Sequence, residues 1–377
     1  MSKQIDHKPY RIIISGGGTG GHIFPAISIA NALKKKEPQC EILFVGASNK
    51  MEMEKVPAAG YKITGLPIAG LKRSLSLSNL KLPFTLLKSI RIANKIIREF
   101  KPDAAVGVGG YASAPLLRAA GNKAIPYLIQ EQNSYAGITN RFLAKKARKI
   151  CVAYENMEKF FPIEKILITG NPVREGIKPA TKEKRDEARE FYNLTKEQKV
   201  ILVVGGSLGA RTLNNSIKKW VLENRESDTT IIWQCGKFYY NEIKKFNEQN
   251  PRSYIKYFEF IKEMDMAFAA SDVVISRAGA GTISELCIAG KATIFVPSPN
   301  VAEDHQRHNA LALSNRGAAI MILDSEASEK LMNRAIELVK DKDKIEKLEM
   351  AIKEMALHNS AEIIANQVIK LCKEFRK

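Results

Sequence analysis

Three times in this chain a short apolar run ends in a glycine-rich loop that leads into a helical pattern. The three are Arg11-Ile-Ile-Ile-Ser-Gly-Gly-Gly-Thr-Gly-Gly-His22, Val200-Ile-Leu-Val-Val-Gly-Gly-Ser-Leu-Gly-Ala-Arg211 and Val273-Val-Ile-Ser-Arg-Ala-Gly-Ala-Gly-Thr282. Strand, glycine turn and helix N-terminus together form an anion cradle. The first N–H groups of the helix point outward, its dipole is positive at that end, and glycine lets the backbone close on a phosphate. One such loop near the start and two in the second half imply two nucleotide-fold domains facing a shared cleft. That architecture points to an enzyme of nucleotide sugars.

The first half alternates β-branched runs (Arg11–Ser15, Glu41–Gly46, Ala104–Val108, Ile125–Gln130, Lys149–Ala153) with helical patterns beginning near Phe24, Leu80, Ala114 and Gly137. The second half repeats the alternation with Val200–Val204, Thr229–Cys235, Tyr254–Phe260, Val273–Ser276 and Ala292–Val296. This βαβ order predicts an α/β chain with two doubly wound parallel sheets. At 377 residues two domains are expected. The division runs 1–172, then 173–355, with a C-terminal helix over 356–377 that packs back on the first domain. The turn Thr169-Gly-Asn-Pro-Val173 opens the hinge.

No apolar run reaches the about 18–20 residues that span a bilayer, and Met1–Tyr10 lacks the apolar core of a signal peptide. The reading is a cytoplasmic protein. Its five cysteines are scattered without a C-x-x-C pair, which reads as reduced structural thiols. A formal charge of +19 calls for an anionic partner: nucleic acid, an anionic membrane surface or a phosphorylated substrate.

Gly16–Gly21 fits G-x-G-x-x-G, but a dinucleotide site needs an acid at the tip of the next strand. That strand ends Leu43-Phe-Val-Gly-Ala-Ser48, so a nicotinamide cofactor is disfavoured. His22 follows the glycines directly. An imidazole there projects beside whatever the loop binds and suits general-base work. Two more polar clusters sit at strand ends, Gly107-Val-Gly-Gly-Tyr-Ala-Ser-Ala-Pro115 and Gln130-Glu-Gln-Asn133, where parallel sheets build their binding crevices. In the second half Ser207 can donate to a phosphate or sugar. Glu285, read as lying in the first turn of its helix, either accepts from two ribose hydroxyls or closes a capping box with Thr282. His305 and His308 beside Asp304 lack a supporting ligand cluster, and Asp341-Lys-Asp343 reads as a solvated helix surface, so no metal is expected.

Just upstream of the helical pattern that begins near Leu80 lies Leu71-Lys-Arg-Ser-Leu-Ser-Leu77, and the helix that follows carries two stripes. Leu86, Ile90, Ala93 and Ile97 mark a buried face, and Lys88, Arg91, Lys95 and Arg98 another face. Basic residues (Lys72, Arg73, Lys88, Arg91) interleaved with Leu82, Phe84 and Leu87 suit an anionic lipid surface. A solvated basic face over a core stripe is the competing reading, and the net charge favours the membrane.

Seven blocks together resemble the MurG family of bacterial peptidoglycan N-acetylglucosaminyltransferases. They are Gly18-Thr-Gly-Gly-His-Ile-Phe-Pro25, Gly109-Gly-Tyr-Ala-Ser-Ala-Pro115, Glu131-Gln-Asn133, Gly170-Asn-Pro-Val-Arg174, Gly205-Gly-Ser-Leu-Gly-Ala210, Ala278–Glu285 and Asp304-His-Gln306, in the family's order. Gln130 stands where the family usually has histidine, and Ala112 and Ala114 replace its valine and glycine. The lost histidine leaves His22 the stronger candidate base.

The resemblance implies a GT-B fold of two Rossmann-like domains, needing no cofactor. It implies inverting transfer of GlcNAc from UDP-GlcNAc to the MurNAc 4-hydroxyl of lipid I, giving lipid II and UDP. By motif position the donor residues are Thr19, Gly20, Gly21, Asn133, Arg174, Ser207, Ile261, Ala280, Gly281, Thr282, Ile283, Ser284, Glu285 and Gln306. Uracil is assigned to Ile261, ribose to Glu285 and the sugar hydroxyls to Asn300 through Gln306. Acceptor contacts fall on Gly109, Gly110, Tyr111, Ser113 and Glu131. The implied location is peripheral, on the cytoplasmic face of the bacterial plasma membrane. Rival readings are another GT-B enzyme of UDP-sugars, such as a glycolipid glycosyltransferase or a UDP-GlcNAc 2-epimerase. A basic nucleic-acid-binding protein is disfavoured because the glycine loops would be idle.

Overall fold

The structure, a computed structural model, describes residues 8–68 and 82–377. Two compact units divide the chain: one runs to Arg174 and regains Leu357–Lys377, the other is Glu175–Ala356.

The first unit contains β1 (Arg11–Ser15), α1 (Gly20–Lys36), β2 (Glu41–Ala47), α2 (Glu52–Ala58), β3 (Lys62–Leu66) and α3 (Leu82–Phe100). It continues with β4 (Ala104–Gly107), α4 (Ser113–Asn122), β5 (Tyr127–Glu131), α5 (Ile138–Ala144), β6 (Lys149–Val152) and β7 (Ile166–Ile168). Its seven strands lie in the order β3-β2-β1-β4-β5-β6-β7, all parallel. Side chains alternate across the sheet, so β1 feeds two cores. Ile12 and Ile14 enter the one that includes Ile23 and Ile29 of α1, whereas Ile13 enters the one that includes Ala93 and Ile97 of α3 and Leu116 of α4.

The second unit opens with α6 (Lys182–Phe191), β8 (Lys199–Val204), α7 (Arg211–Glu223), β9 (Thr229–Gln234), α8 (Tyr240–Gln249), β10 (Ile255–Phe258) and α9 (Met264–Ala270). It continues with β11 (Val273–Ser276), α10 (Ala280–Ala289), β12 (Ala292–Phe295), α11 (His305–Ser314), β13 (Ile320–Met321), α12 (Ala327–Lys340) and α13 (Lys342–Glu354). The six strands run β10-β9-β8-β11-β12-β13, again parallel. Both sheets therefore reverse direction of growth beside their first strand, between β1 and β4 and between β8 and β11. Ligands of such sheets bind outside the strand ends at that reversal.

The last helix, α14 (Ser360–Phe375), belongs to the first unit. Its Ile364, Ala365, Val368, Ile369 and Cys372 form one apolar face, buried in the core that holds Ile12 and Ile14.

Several details depart from the sequence pattern. Helix α1 starts at Gly20 rather than near Phe24, so His22 lies within its first turn. On α3 Ala93 and Ile97 are buried, but Leu86 is 40% exposed and Ile90 only half-buried. The inward stripe is Ser89, Ala93, Ile96 and Ile97. Lys72 and Arg73 lie outside the described residues, as does the Leu82 side chain.

Candidate functional site

The switch point of the first unit is built from two interlocked loops. Ser15 pairs with Gly107 across β1 and β4, so the glycine loop after β1 and the Gly109–Ser113 turn after β4 emerge side by side. Gly110 has φ +84°, and a Cβ there would collide with the Gly17 carbonyl. Only glycine allows that approach. Ser113, fully buried, donates to the carbonyls of Ser15 at 3.0 Å and Gly109 at 2.8 Å.

His22 Nδ1 lies 3.1 Å from the Gly17 carbonyl and 3.3 Å from Thr19 Oγ1. A carbonyl only accepts, so in the neutral ring Nδ1 carries the proton and Nε2 the lone pair. A Cβ on Gly109 would stand 2.9 Å from Nε2, so a side chain at that position would crowd the basic edge. Thr19 is the N-cap residue of α1 but makes no side-chain cap bond.

Behind these loops, Glu131 is 1% exposed and accepts four bonds. Asn133 N and Nδ2 donate to Oε1, while Gly137 N and Asn140 Nδ2 donate to Oε2. Burial pushes its carboxyl above the usual carboxylate range, and the bonds from Asn133, Asn140 and Gly137 oppose that shift. Gln130 is fully buried, donates to Asn171 Oδ1 at 2.9 Å and accepts from Gln132 Nε2. Asn171 in turn donates to the Gln132 carbonyl at 3.0 Å, which joins the Gly170–Arg174 turn to the β5 end. Arg174 and Tyr111 are exposed.

In the second unit Val204 pairs with Ser276, which brings the second and third glycine loops together beside β8 and β11. Gly209 has φ +89°, where a Cβ would collide with the Cys235 carbonyl. Ser207 is exposed at the loop tip. Neither α7 nor α10 has a side-chain cap bond or an acid in its first turn. The third loop differs from the sequence reading. Gly279, not Thr282, is the N-cap of α10, and Glu285 sits in the second turn, 6% exposed. A capping box is therefore not what Glu285 and Thr282 form, because the helix starts three residues earlier than such a box needs.

Ile261 is buried, and its N–H donates to Gln234 Oε1 at 2.9 Å. Gln306 Oε1 accepts from Ser298 N at 2.9 Å, which fixes the loop before α11. Glu303 and Asp304 in that loop both have left-handed backbones, at φ 54° and 48°. Consecutive non-glycine residues in that region are strained, a feature that clusters at ligand-binding loops.

Residues 12–152 match the glycosyltransferase family 28 N-terminal domain and 200–367 its C-terminal domain. A protein of Parabacteroides distasonis named UDP-N-acetylglucosamine--N-acetylmuramyl-(pentapeptide) pyrophosphoryl-undecaprenol N-acetylglucosamine transferase is 56% identical, over 97% of this chain and 99% of its own. Its namesake in Phocaeicola vulgatus is 54% identical over 97% of this chain and 98% of its own. The chain belongs to the MurG family. The crystal structure of Acinetobacter baumannii MurG matches with a TM-score of 0.76 at 29% identity, covering 96% of this chain and all of that one. The fold is thus GT-B and the chain a glycosyltransferase. A Neisseria meningitidis UDP-GlcNAc 2-epimerase shares the fold, with a TM-score of 0.65 over 96% of this chain and all of that one, but only 14% identity.

Within the MurG framework, the structure gathers Thr19, Gly20, Gly21, His22, Gly109 and Gly110 at one switch point. Ser207, Ala280, Gly281, Thr282, Ile283, Ser284 and Glu285 gather at the other. It turns Ser113 and Glu131 inward, where their polar atoms hold loops. Sequence reading passed over the residues that do the same elsewhere. Gln234 ties Gly206 and Ile261 together, Arg277 bonds the Val296 carbonyl and Asp324, and Asn309 reaches the Ala278 carbonyl. Glu52 holds the first loop. Gln234, Asn309 and Glu52 are polar, buried and outside the glycine motifs, and Arg277 lies in the third motif without a local sign of its partners, so only the fold reveals these contacts.

Proposed function

We propose that this chain transfers N-acetylglucosamine from UDP-N-acetylglucosamine to the 4-hydroxyl of the N-acetylmuramyl unit of lipid I, giving lipid II and UDP. The observation that carries the reading is 56% identity, over 97% of the chain, with a protein named for that transfer. The geometry suits the chemistry. Departure of UDP builds negative charge on a diphosphate, and helix N-termini fed by glycine loops stabilise such charge without reorganising.

Inversion at the anomeric carbon is a single displacement, so one base suffices. His22 is that base: Nδ1 is engaged with the Gly17 carbonyl, and Nε2 takes the proton of the acceptor hydroxyl. Glu285 accepts from the ribose hydroxyls, Ile261 lies at uracil, and the loop through Gln306 meets the sugar. Thr19, Gly20, Gly21, Asn133, Arg174 and Ser207 complete the donor contacts. Gly109, Gly110 and Tyr111 face the acceptor, while Ser113 and Glu131 hold the loops that carry them.

The acceptor's lipid tail sets the enzyme on the cytoplasmic face of the plasma membrane. No helix among the described residues is long and apolar enough to cross it. The first turns of α3 support docking there: Phe84 is 75% and Leu87 55% exposed, beside exposed Lys88 and Arg91. The anionic partner implied by the +19 charge is then lipid and substrate phosphate rather than nucleic acid.

Incubation with labelled UDP-GlcNAc and a short-chain lipid I analogue tests the reading. The expected product is the β-linked disaccharide lipid with one UDP released per transfer. Conversion of the donor to the 2-epimer, with the acceptor unchanged, would instead support the epimerase reading.

A further inference from the structure

Glu52 is the first residue of α2, and its carboxylate is sealed from solvent at 0% exposure. Oε2 accepts from Gly18 N at 3.0 Å and Oε1 from Ala47 N at 2.9 Å, so one side chain joins the glycine loop to the end of β2. Its neighbours leave it no other position. A Cβ on Gly17 would collide with Oε1, and one on Gly46 would come within 2.5 Å of Cγ.

The Gly18 N–H and the Gly17 carbonyl belong to the same peptide unit. Glu52 takes the N–H end of that unit, and His22 Nδ1 donates to the carbonyl end. A carboxylate on the N–H polarises the whole amide, which makes the carbonyl oxygen a stronger acceptor. The arrangement is a carboxylate–imidazole pair with one peptide group inserted between its members. In direct pairs the carboxylate fixes the tautomer and steadies the imidazolium that forms.

We propose that Glu52 is a positioning residue for the transfer: acting through the Gly17–Gly18 peptide, it holds His22 with Nδ1 protonated and Nε2 basic. The inference rests on His22 being the base. Around the ring stand Thr19 Oγ1, the Gly17 carbonyl and the Gly109 backbone, and Glu52 is joined to the Gly17–Gly18 peptide through the Gly18 N–H. Glu52→Gln removes the charge and turns an amide N–H₂ towards one of the two backbone donors. Glu52→Asp keeps the charge but is one methylene short of spanning both.

The test is NMR of the full chain labelled with ¹⁵N-histidine, with His22→Ala assigning one of five histidine signals. Wild-type His22 is expected as the Nδ1–H tautomer. In Glu52→Gln both tautomers should appear and the His22 titration should move to lower pH, because the imidazolium loses its counter-charge. The same variant should lose about 10–100-fold in kcat, the usual cost of removing a carboxylate behind a functional histidine. KM for UDP-GlcNAc should stay within about twofold, and Glu52→Asp should fall between. An Nε2–H tautomer in the wild type overturns the proposal without any variant. So does an unchanged tautomer and titration in Glu52→Gln, whatever its activity. If His22→Ala keeps its kcat while the NMR changes appear, the relay stands and the base assignment is the part that fails.

Discussion

Arg376 closes a bidentate ion pair on Asp103, 273 residues earlier, with Nε to Oδ1 at 2.8 Å and Nη2 to Oδ2 at 2.7 Å. The guanidinium also lies 4.5 Å over the Tyr10 ring and donates to the Pro9 carbonyl at 2.7 Å. Asp103 in turn accepts from Arg11 N at 2.7 Å, so the pair binds the chain's last helix to the start of β1. Its side chains are 25% and 12% exposed, too covered for the small values of surface pairs. Arg376→Ala is expected to lower the urea midpoint of the first unit, with a loss of about 1–3 kcal/mol. An unchanged midpoint would mean that the apolar face of α14 docks the helix alone.

Lys291 gives the second unit a pH dependence of unusual sign. It is 6% exposed, and its ammonium donates to the Ser271 carbonyl at 2.8 Å. Burial lowers its pKa from 10.5 to about 8; Glu349 and Asp272 oppose the shift, while Arg185 and Lys353 add to it. Above about pH 8 the folded state sheds a proton that the unfolded chain still binds, so stability rises with pH across that window. Below it the penalty is fully present. Relative to Lys291→Met, the wild type should gain about 1–2 kcal/mol in urea unfolding between pH 7.5 and 9.5. Parallel pH curves for the two proteins would remove Lys291 as the cause.

What the sequence made legible follows from where the signal is local. β1, β8 and β11 are runs of buried β-branched residues ending in glycine, and their bounds in the structure differ from the pattern by a residue at most. Elements with weak local signals went unread. Helix α2 carries Pro57 inside it, which argues against a helix, and β13 has two residues. β3 is mostly half-buried, so it lacks the continuous apolar run of a central strand. Missing α2 meant missing Glu52, whose role depends on contacts with residues 18 and 47. Candidate residues in loops were legible by type, but burial was not. Nothing local distinguishes Ser113, whose hydroxyl faces inward, from exposed Ser207.

For the base, His22→Ala should lower kcat by about 10²–10⁴-fold. Because the lost group would act on the acceptor's proton, donor affinity should hardly change. Steady-state kinetics with both substrates varied provides the check. A defect confined to KM for UDP-GlcNAc would make His22 a donor-loop residue instead.

Glu285 offers a sharper ligand test. If its carboxylate accepts from the ribose, Glu285→Ala should weaken UDP by about 1.5–3 kcal/mol, the range of a charge-assisted bond. A 2′,3′-dideoxy analogue has no hydroxyls to donate, so its affinity should change far less. Calorimetry with both ligands makes the comparison. Equal losses would mean that Glu285 acts by holding α10, where it is buried in the second turn.

At the membrane, two kinds of force should separate by their salt response. Each basic residue near an anionic surface contributes about 1 kcal/mol, screened within a Debye length, whereas inserted apolar side chains are insensitive to salt. On α3 both kinds share the same turns: Phe84 and Leu87 are exposed beside Lys88 and Arg91, while Ser89 and Ala93 face the core. Sedimentation with anionic vesicles should show binding that falls as salt is added. A Phe84→Ser/Leu87→Ser variant should bind less at every salt concentration, yet keep its affinity for UDP-GlcNAc, because neither side chain supports the core. A Lys88→Gln/Arg91→Gln variant should instead lose mainly the salt-sensitive part. If the Ser variant and the wild type bind vesicles equally across the salt range, the docking surface lies elsewhere and the outer face of α3 is merely solvated.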